Sequence, residues 1–296
     1  MPYKHLPEIT ERQEQIVNLV YKFRFINRHQ IQKILNHKDP KRINVWLKDL
    51  VEKGYLGRIY SHKLLENTKP AIYYLNNNGI LYIQNIKGYE YGQPQEWLEQ
   101  KYIKKFYQDK HASETFVNHC ISICQFYIQL KEHEKTKKNL DYSILTKTEM
   151  WIMKQIEEDE DEFAKIKEYL SDLYVERFIN PESKNIDSSV FFFTLFDSHV
   201  PRYAIRYKVD QHIKLHDDGD WKYYKGLDGQ FPVIFFILSD QKKVNNIGKY
   251  IKRQFDETML DVEGMVFMLT THEDALKEGV TGNIWEEVKE GNKNDI

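Results

Sequence analysis

The chain has only two cysteines in 296 residues, Cys120 and Cys124. They lie four apart in a helical pattern and so face the same way. Two thiols can build neither a disulfide framework nor a four-ligand zinc site, so two small buried thiols in a reduced compartment are expected. No run of eighteen apolar residues occurs, which excludes a helical membrane span. The opening MPYKHLPEIT lacks the apolar core of a secretory signal, and a cytoplasmic location is expected. Also missing are a GxxxxGKS/T phosphate loop, a GxGxxG turn, an HExxH helix and a GxSxG elbow. No internal repeat runs at solenoid periods. These absences leave no catalytic residue, cofactor or metal ligand to expect from motifs.

Net charge is scarce as well, at −2, but its distribution is uneven. Residues 1–85 hold 14 Lys and Arg against 7 Asp and Glu, whereas residues 86–296 hold 29 against 38. A basic head is joined to an acidic body. Clustered positive charge is the footprint expected of a DNA-binding face, because phosphate neutralisation releases counterions.

Within that head, residues 10–75 show three short amphipathic helical patterns and then two strand-like runs joined by a polar, basic loop. Thr10 with Gln13 fits a capping box ahead of Ile16, Val17, Leu19 and Val20, and Asn27 with Gln30 repeats the device before Ile31, Ile34 and Leu35. Asp39-Pro40 opens the third helix, where proline is tolerated in the first turn. Ile43, Trp46, Leu47 and Leu50 fall there at helical spacing, and Gly54 closes the helix before a strand from Tyr55 to Tyr60. This is the order of a winged helix-turn-helix.

Lys41, Arg42 and Asn44, near the start of the third helix, are the candidates for the groove of double-stranded DNA. Arg28 and Lys48 join them as DNA-binding candidates. His62, Lys63 and Lys69 at the wing are placed to touch phosphate. Asn76 to Gly79 signals a turn into a further short helix, and Lys87 to Pro94 reads as a linker. The expected division is a winged helix-turn-helix over 1–90, then a helical connector and C-terminal α/β domain over 91–296.

Residues 110–133 form an amphipathic helical pattern carrying both cysteines. His111 and His119 lie eight apart with no helix-spaced carboxylate, so a structural role is expected instead of metal binding. Asp141 to Thr146 reads as a strand, and Glu149 to Gln155 as the start of a helix. Glu157 to Glu162, EEDEDE, reads as a solvated acidic run. Phe163, Ile166, Tyr169 and Leu170 continue at helical spacing. Further on, Ser189–Phe196 and Gln230–Leu238 read as buried strands, and Arg202–Val209 as the second arm of a hairpin. Val244–Phe255 reads as a helix, Gly264–Leu269 as a last strand and Asp274–Glu278 as a short helix. His216 to Asp220, HDDGD, lacks the distal glutamate of a calcium loop and reads as a polar turn. The fold class expected is α+β, with a mixed sheet carrying helices on its faces.

Three stretches carry a family resemblance: ITERQEQIVNLVYKFRFINRHQIQKIL, EKGYLGRI and YYLNNNGILYI, with FVNHCISICQFY similar to a central helix. On these the chain resembles the replication-relaxation family of plasmids and mobile elements. The resemblance implies a winged helix followed by a small α/β domain like a degenerate restriction-endonuclease fold. In that fold paired carboxylates hold a divalent ion that activates water. Asp187 could supply the first acid here, but the acid-valine-acid stretch stands as Lys208-Val209-Asp210, with His212 where a lysine is wanted. The constellation is incomplete, and docking to DNA without catalysis is expected.

The resemblance implies a role in replication, maintenance or transfer of a mobile element. A homodimer and a replication or transfer protein are possible partners; a membrane is not expected. The alternatives are a metal-dependent nuclease or nickase using Asp187 and Asp210, a transcriptional regulator, and a protein-binding adaptor.

Overall fold

Thr10 begins the first helix, and its backbone N–H donates to Gln13 Oε1 at 2.9 Å in the anticipated capping box. Helix α1, Glu11–Phe23, buries Ile16, Val17 and Val20 on one face. The pair Ile26–Asn27 (β1) leads into α2, Arg28–Ile34, where Asn27 Oδ1 accepts from the backbones of His29 and Gln30, each at 3.0 Å. Helix α3, Pro40–Glu52, starts on Asp39, whose Oδ1 accepts from Lys41 N at 2.8 Å. Gly54 takes the left-handed φ of 72° that ends it. Strands β2, Leu56–Ile59, and β3, Ile72–Leu75, pair antiparallel from Leu56↔Leu75 to Ile59↔Ile72. β1 pairs with the other edge of β3, so the small sheet has the order β1-β3-β2.

The computed structural model describes residues 6–60, 69–90, 103–150, 171–181, 187–223, 227 and 229–290. Contacts divide the chain into two units, Met1–Ile128 and Gln129–Ile296. The first unit continues through α4, Asn77–Glu90, and α5, Ile103–Gln108. A 3-10 turn over Asp109–His111 follows, then the start of α6, Glu114–Thr136. The linker expected from Lys87 is corrected for its first four residues, which continue α4 to Glu90. A single Gly88 inside a helix costs only about 1 kcal/mol. Cys120 and Cys124 are buried thiols on α6, not joined in a disulfide, and burial raises the Cys124 thiol well above its ordinary pKa. The acidic run at 157–162 and the helical pattern at 163–170 lie outside the described residues.

The second unit is built on a six-stranded sheet in sequence order. Its strands are β4 (Leu140–Thr146), β5 (Leu173–Ile179), β6 (Asp187–Phe196), β7 (Val233–Leu238), β8 (Val266–Thr271) and β9 (Glu286–Lys289). β4, β5 and β6 pair antiparallel, β6–β7 and β7–β8 parallel, and β9 returns antiparallel. The whole is α+β with a mixed sheet.

The hairpin arm expected over Arg202–Val209 is overturned, because Arg202–Asp218 is helix α7. Two causes are visible. Parallel strands β6 and β7 need a crossover between them, and a two-arm hairpin cannot supply one. Ile205, Val209, Ile213 and His216 also recur at helical spacing, and all four are buried. Helix α8, Gln241–Glu257, starts on Asp240, whose Oδ1 accepts from Lys243 N at 2.9 Å. α7 and α8 share one core with the even-numbered residues of β7, so they cover the same face of the sheet. The HDDGD stretch ends α7 at Gly219 (φ 72°), and Trp221 Nε1 donates to the His216 carbonyl at 2.9 Å. Helix α9, His272–Lys277, follows β8 and takes its cap from Thr271.

His212 sits wholly inside this core, its ring flanked by Phe192, Phe236 and Phe267. Neither ring nitrogen has a hydrogen-bond partner among the described residues. Burial, with the Lys208 charge adding, lowers its pKa from 6.5 to about 3. The unfolded chain therefore takes up a proton near pH 6.5 that the folded chain refuses. Stability is complete above that pH and falls as pH drops toward 3, by up to about 1.4 kcal/mol per unit from this group. Urea melts at pH 8 and pH 5 should show a smaller acid loss for His212→Leu than for wild type. Equal losses would remove His212 as the cause.

Candidate nucleic-acid interface

Helix α3 is amphipathic in the simplest way. Ile43, Leu47 and Leu50 are at most 1% exposed, and they anchor the helix against the body of the first unit. Lys41, Arg42, Asn44, Val45 and Lys48 are then left on the outside, and all five are exposed. Val45 is 60% exposed, an apolar side chain in the middle of a polar face. The sequence reading passed over it, although its place next to Asn44 and three before Lys48 was visible.

Neighbouring elements frame this face. Arg28 at the start of α2 donates through Nη1 to Asn44 Oδ1 at 3.4 Å, so two of the expected DNA contacts are brought together. Arg42 lies over the Trp46 ring at 5.8 Å, and Trp46 meets His37 edge-on at 5.0 Å. Lys48 faces Glu52 one turn on at 3.7 Å, an exposed pair worth little to stability. On the small sheet, exposed Arg58 lies over Tyr60 at 5.5 Å. Burial raises the Tyr73 phenol while the charges of Arg58 and Arg28 oppose it, so both guanidinium groups act on this ring. Arg58 was not anticipated, because burial along β2 does not alternate: Leu56 and Gly57 are buried, Arg58 and Ile59 exposed. Lys69 is exposed, whereas His62 and Lys63 lie outside the described residues.

What holds α3 in place is polar as well as apolar. Gln13 is 3% exposed, and its Nε2 donates to Asp49 Oδ2 at 2.5 Å, so the cap residue of α1 also grips α3. Lys53 reaches the same carboxylate at 2.8 Å, and its hydrogen bond, followed by that of Gln13, holds the Asp49 pKa below its ordinary value. Beyond the helix, Tyr55 N donates to Leu50 O at 2.9 Å and Asn78 Nδ2 to Lys53 O at 2.7 Å.

The far side of the small sheet is set by Arg24, whose left-handed φ of 63° turns the chain out of α1. Its guanidinium pairs with the carboxylate of Asp109 and lies over the Phe116 ring at 4.6 Å and the Phe106 ring at 5.6 Å. Asp109 is 1% exposed, and burial raises its pKa to about 6 against the pull of Arg24. Phe25, Val117 and Cys120 pack beside this pair, and Gln30 Nε2 donates to Ile121 O at 2.8 Å.

The two carboxylates considered for metal chemistry are not arranged as neighbours on adjacent strands. Asp187 begins β6 and is exposed, while Asp210 is on helix α7 and accepts from Tyr250 Oη at 2.7 Å. Among the described residues no group of three or more His, Cys, Asp or Glu could hold a metal ion. The sheet instead buries a different acid, Asp172, which accepts from Leu195 N at 2.9 Å and lies 3.9 Å from Lys147. Half-buried Lys208 of α7 has its pKa lowered to about 8 by burial, with Lys147 adding and Asp172 opposing. No helix among the described residues is long and apolar enough to cross a membrane.

Residues 17–256 match the family described as replication-relaxation, which covers most of the chain. No curated protein and no solved structure matches it.

Gly79, in the first turn of α4, has no room for a side chain. A Cβ there would lie 2.2 Å from the Tyr55 carbonyl oxygen, which is backbone and cannot rotate away. Gly79→Ala should destabilise the protein by about 1–3 kcal/mol. Chemical melts followed by circular dichroism check this; an unchanged midpoint would show that α4 and the Tyr55 segment do not need close contact.

Proposed function

The chain belongs to the replication-relaxation family, and from that membership and the outward face of α3 we propose that it is a DNA-binding protein. It acts in the replication, maintenance or transfer of a plasmid or other mobile element. The observation that carries this reading is α3 itself, which presents Lys41, Arg42, Asn44, Val45 and Lys48 on its exposed side while its other side is buried. The element order helix, strand, helix, helix, strand, strand supports a winged helix, with α3 as the reading helix and the loop between β2 and β3 as the wing. The order of the second unit's antiparallel strands, crossover helix and parallel strands is compatible with the restriction-endonuclease-like likeness.

The proposed action is docking, without catalysis. α3 enters the major groove, where Asn44 has the donor and acceptor that match adenine and Val45 can meet a thymine methyl group. Lys41 and Arg42 reach guanine edges or the flanking backbone. Arg28, Arg58 and Lys69 make the phosphate contacts that set register. One short helix reads few base pairs, so a homodimer on two half-sites is proposed, along with a replication or transfer protein as a further partner.

Binding to duplex DNA across a salt series tests this. Wild type should bind with a steep dependence on salt. Lys41→Glu/Arg42→Glu should lose affinity and flatten the slope by about one to two. If neither protein binds at low salt, the basic head docks protein and the DNA reading fails.

A further inference from the structure

The second unit carries a surface that the reading of the head does not use. α7 and α8 lie side by side on one face of the large sheet, and their buried sides are fully engaged in its core. Their outer sides are basic in an otherwise acidic body. The two helices hold nine Lys and Arg against five Asp and Glu, which leaves 20 against 33 for the rest of residues 86–296.

On that basic face stand two large aromatic rings that no described residue covers. Tyr203 is 76% exposed and Tyr207 63%. They are four residues apart on α7, so they project from the same side, one turn after the other. Arg202 and Arg206 flank them, both exposed, and neither forms an ion pair with any described residue. Arg206 lies over the Tyr250 ring of α8 at 5.0 Å, and Arg253 over the same ring at 5.4 Å. Two carboxylates stand among them: Asp210 is engaged by Tyr250 Oη at 2.7 Å, and Glu257 lies 3.8 Å from Arg253 as an exposed pair.

We propose that this face binds single-stranded DNA, with Tyr203 and Tyr207 stacking on successive bases and Arg202, Arg206 and Arg253 following the phosphates. The charge selects an anionic partner. The exposed rings favour a single strand over a duplex, because a duplex keeps its base faces stacked inside while a single strand offers them. Base stacking on aromatic side chains tolerates any sequence, and arginine beside the rings adds attraction to both base and backbone. The site goes beyond the duplex reading of α3 and stands or falls separately from it.

Fluorescence anisotropy with a labelled oligodeoxythymidine of about 16 nucleotides tests the site in the full-length chain. Wild type should bind, with affinity falling as salt rises. Tyr203→Ala/Tyr207→Ala should weaken binding at least about tenfold, while Tyr203→Phe/Tyr207→Phe, which keeps the rings, stays within about threefold of wild type. Arg202→Glu/Arg206→Glu should lower both the affinity and the salt slope. All three variants change exposed positions, and matching melting curves exclude unfolding as the cause. Loss of oligonucleotide binding in the head variant Lys41→Glu/Arg42→Glu, with none in Tyr203→Ala/Tyr207→Ala, would put the strand on α3 and overturn the proposal. No binding by wild type overturns the proposal, as does alanine-variant binding equal to wild type. Loss of a concentration-dependent dimer in the alanine variant, without any oligonucleotide binding, also overturns it and makes a second copy of the chain the occupant.

Discussion

One-sided burial of α3 is the constraint on which the account of the head depends. Ile43, Leu47 and Leu50 are inside, and truncating any one of them would cost on the order of 2–5 kcal/mol. A 13-residue helix fixed in this way has no freedom to turn. Its other side must be solvent-facing, and the residues there can differ without cost to the core. Lys41, Asn44, Val45 and Lys48 are therefore available for recognition because other residues hold the helix. The Gln13–Asp49–Lys53 contact fixes the same helix along its polar flank.

The same logic operates in the second unit at larger scale. Two consecutive parallel pairings, β6 with β7 and β7 with β8, require two crossovers, and α7 and α8 supply them on one face. Each helix spends one side on the core. Tyr203 and Tyr207 remain outside together because Ile205 and Val209 are wholly inside. A buried His212 with no hydrogen-bond partner among the described residues is the visible cost of packing α7 so tightly onto Phe192, Phe236 and Phe267.

Local chemistry made the head largely legible. Thr10, Asn27 and Asp39-Pro40 each mark a helix start, and Gly54 a helix end, where the structure has them. These signals act within a few residues, so they need no knowledge of the fold. The second unit resisted where the deciding contact was distant. RYAIRYKV is rich in strand formers, and the helical recurrence of Ile205, Val209, Ile213 and His216 becomes decisive only with the parallel pairing of strands some forty residues apart. β5 went unread because Glu176 and Arg177 interrupt its apolar run, and β9 because its EEVK carries the charge typical of an edge strand. Of the candidate site, Arg28 and Asn44 are brought together, and Lys41, Arg42, Lys48 and Lys69 are exposed as a DNA contact requires. Arg58 and Val45 were missed because a lone arginine in a strand and a lone valine on a polar face carry no motif.

The most direct test of the central claim is guanine N7 methylation interference on a duplex enriched from random sequence by the protein. N7 lies in the major groove, so a helix seated there must be disturbed by a methyl group at the bases it meets. The account predicts interference confined to one groove segment per half-site, lost when Lys41 and Arg42, the residues that reach guanine edges, are both replaced by alanine. Duplex binding that is indifferent to N7 methylation at every position would contradict it, because α3 would then not lie in the major groove.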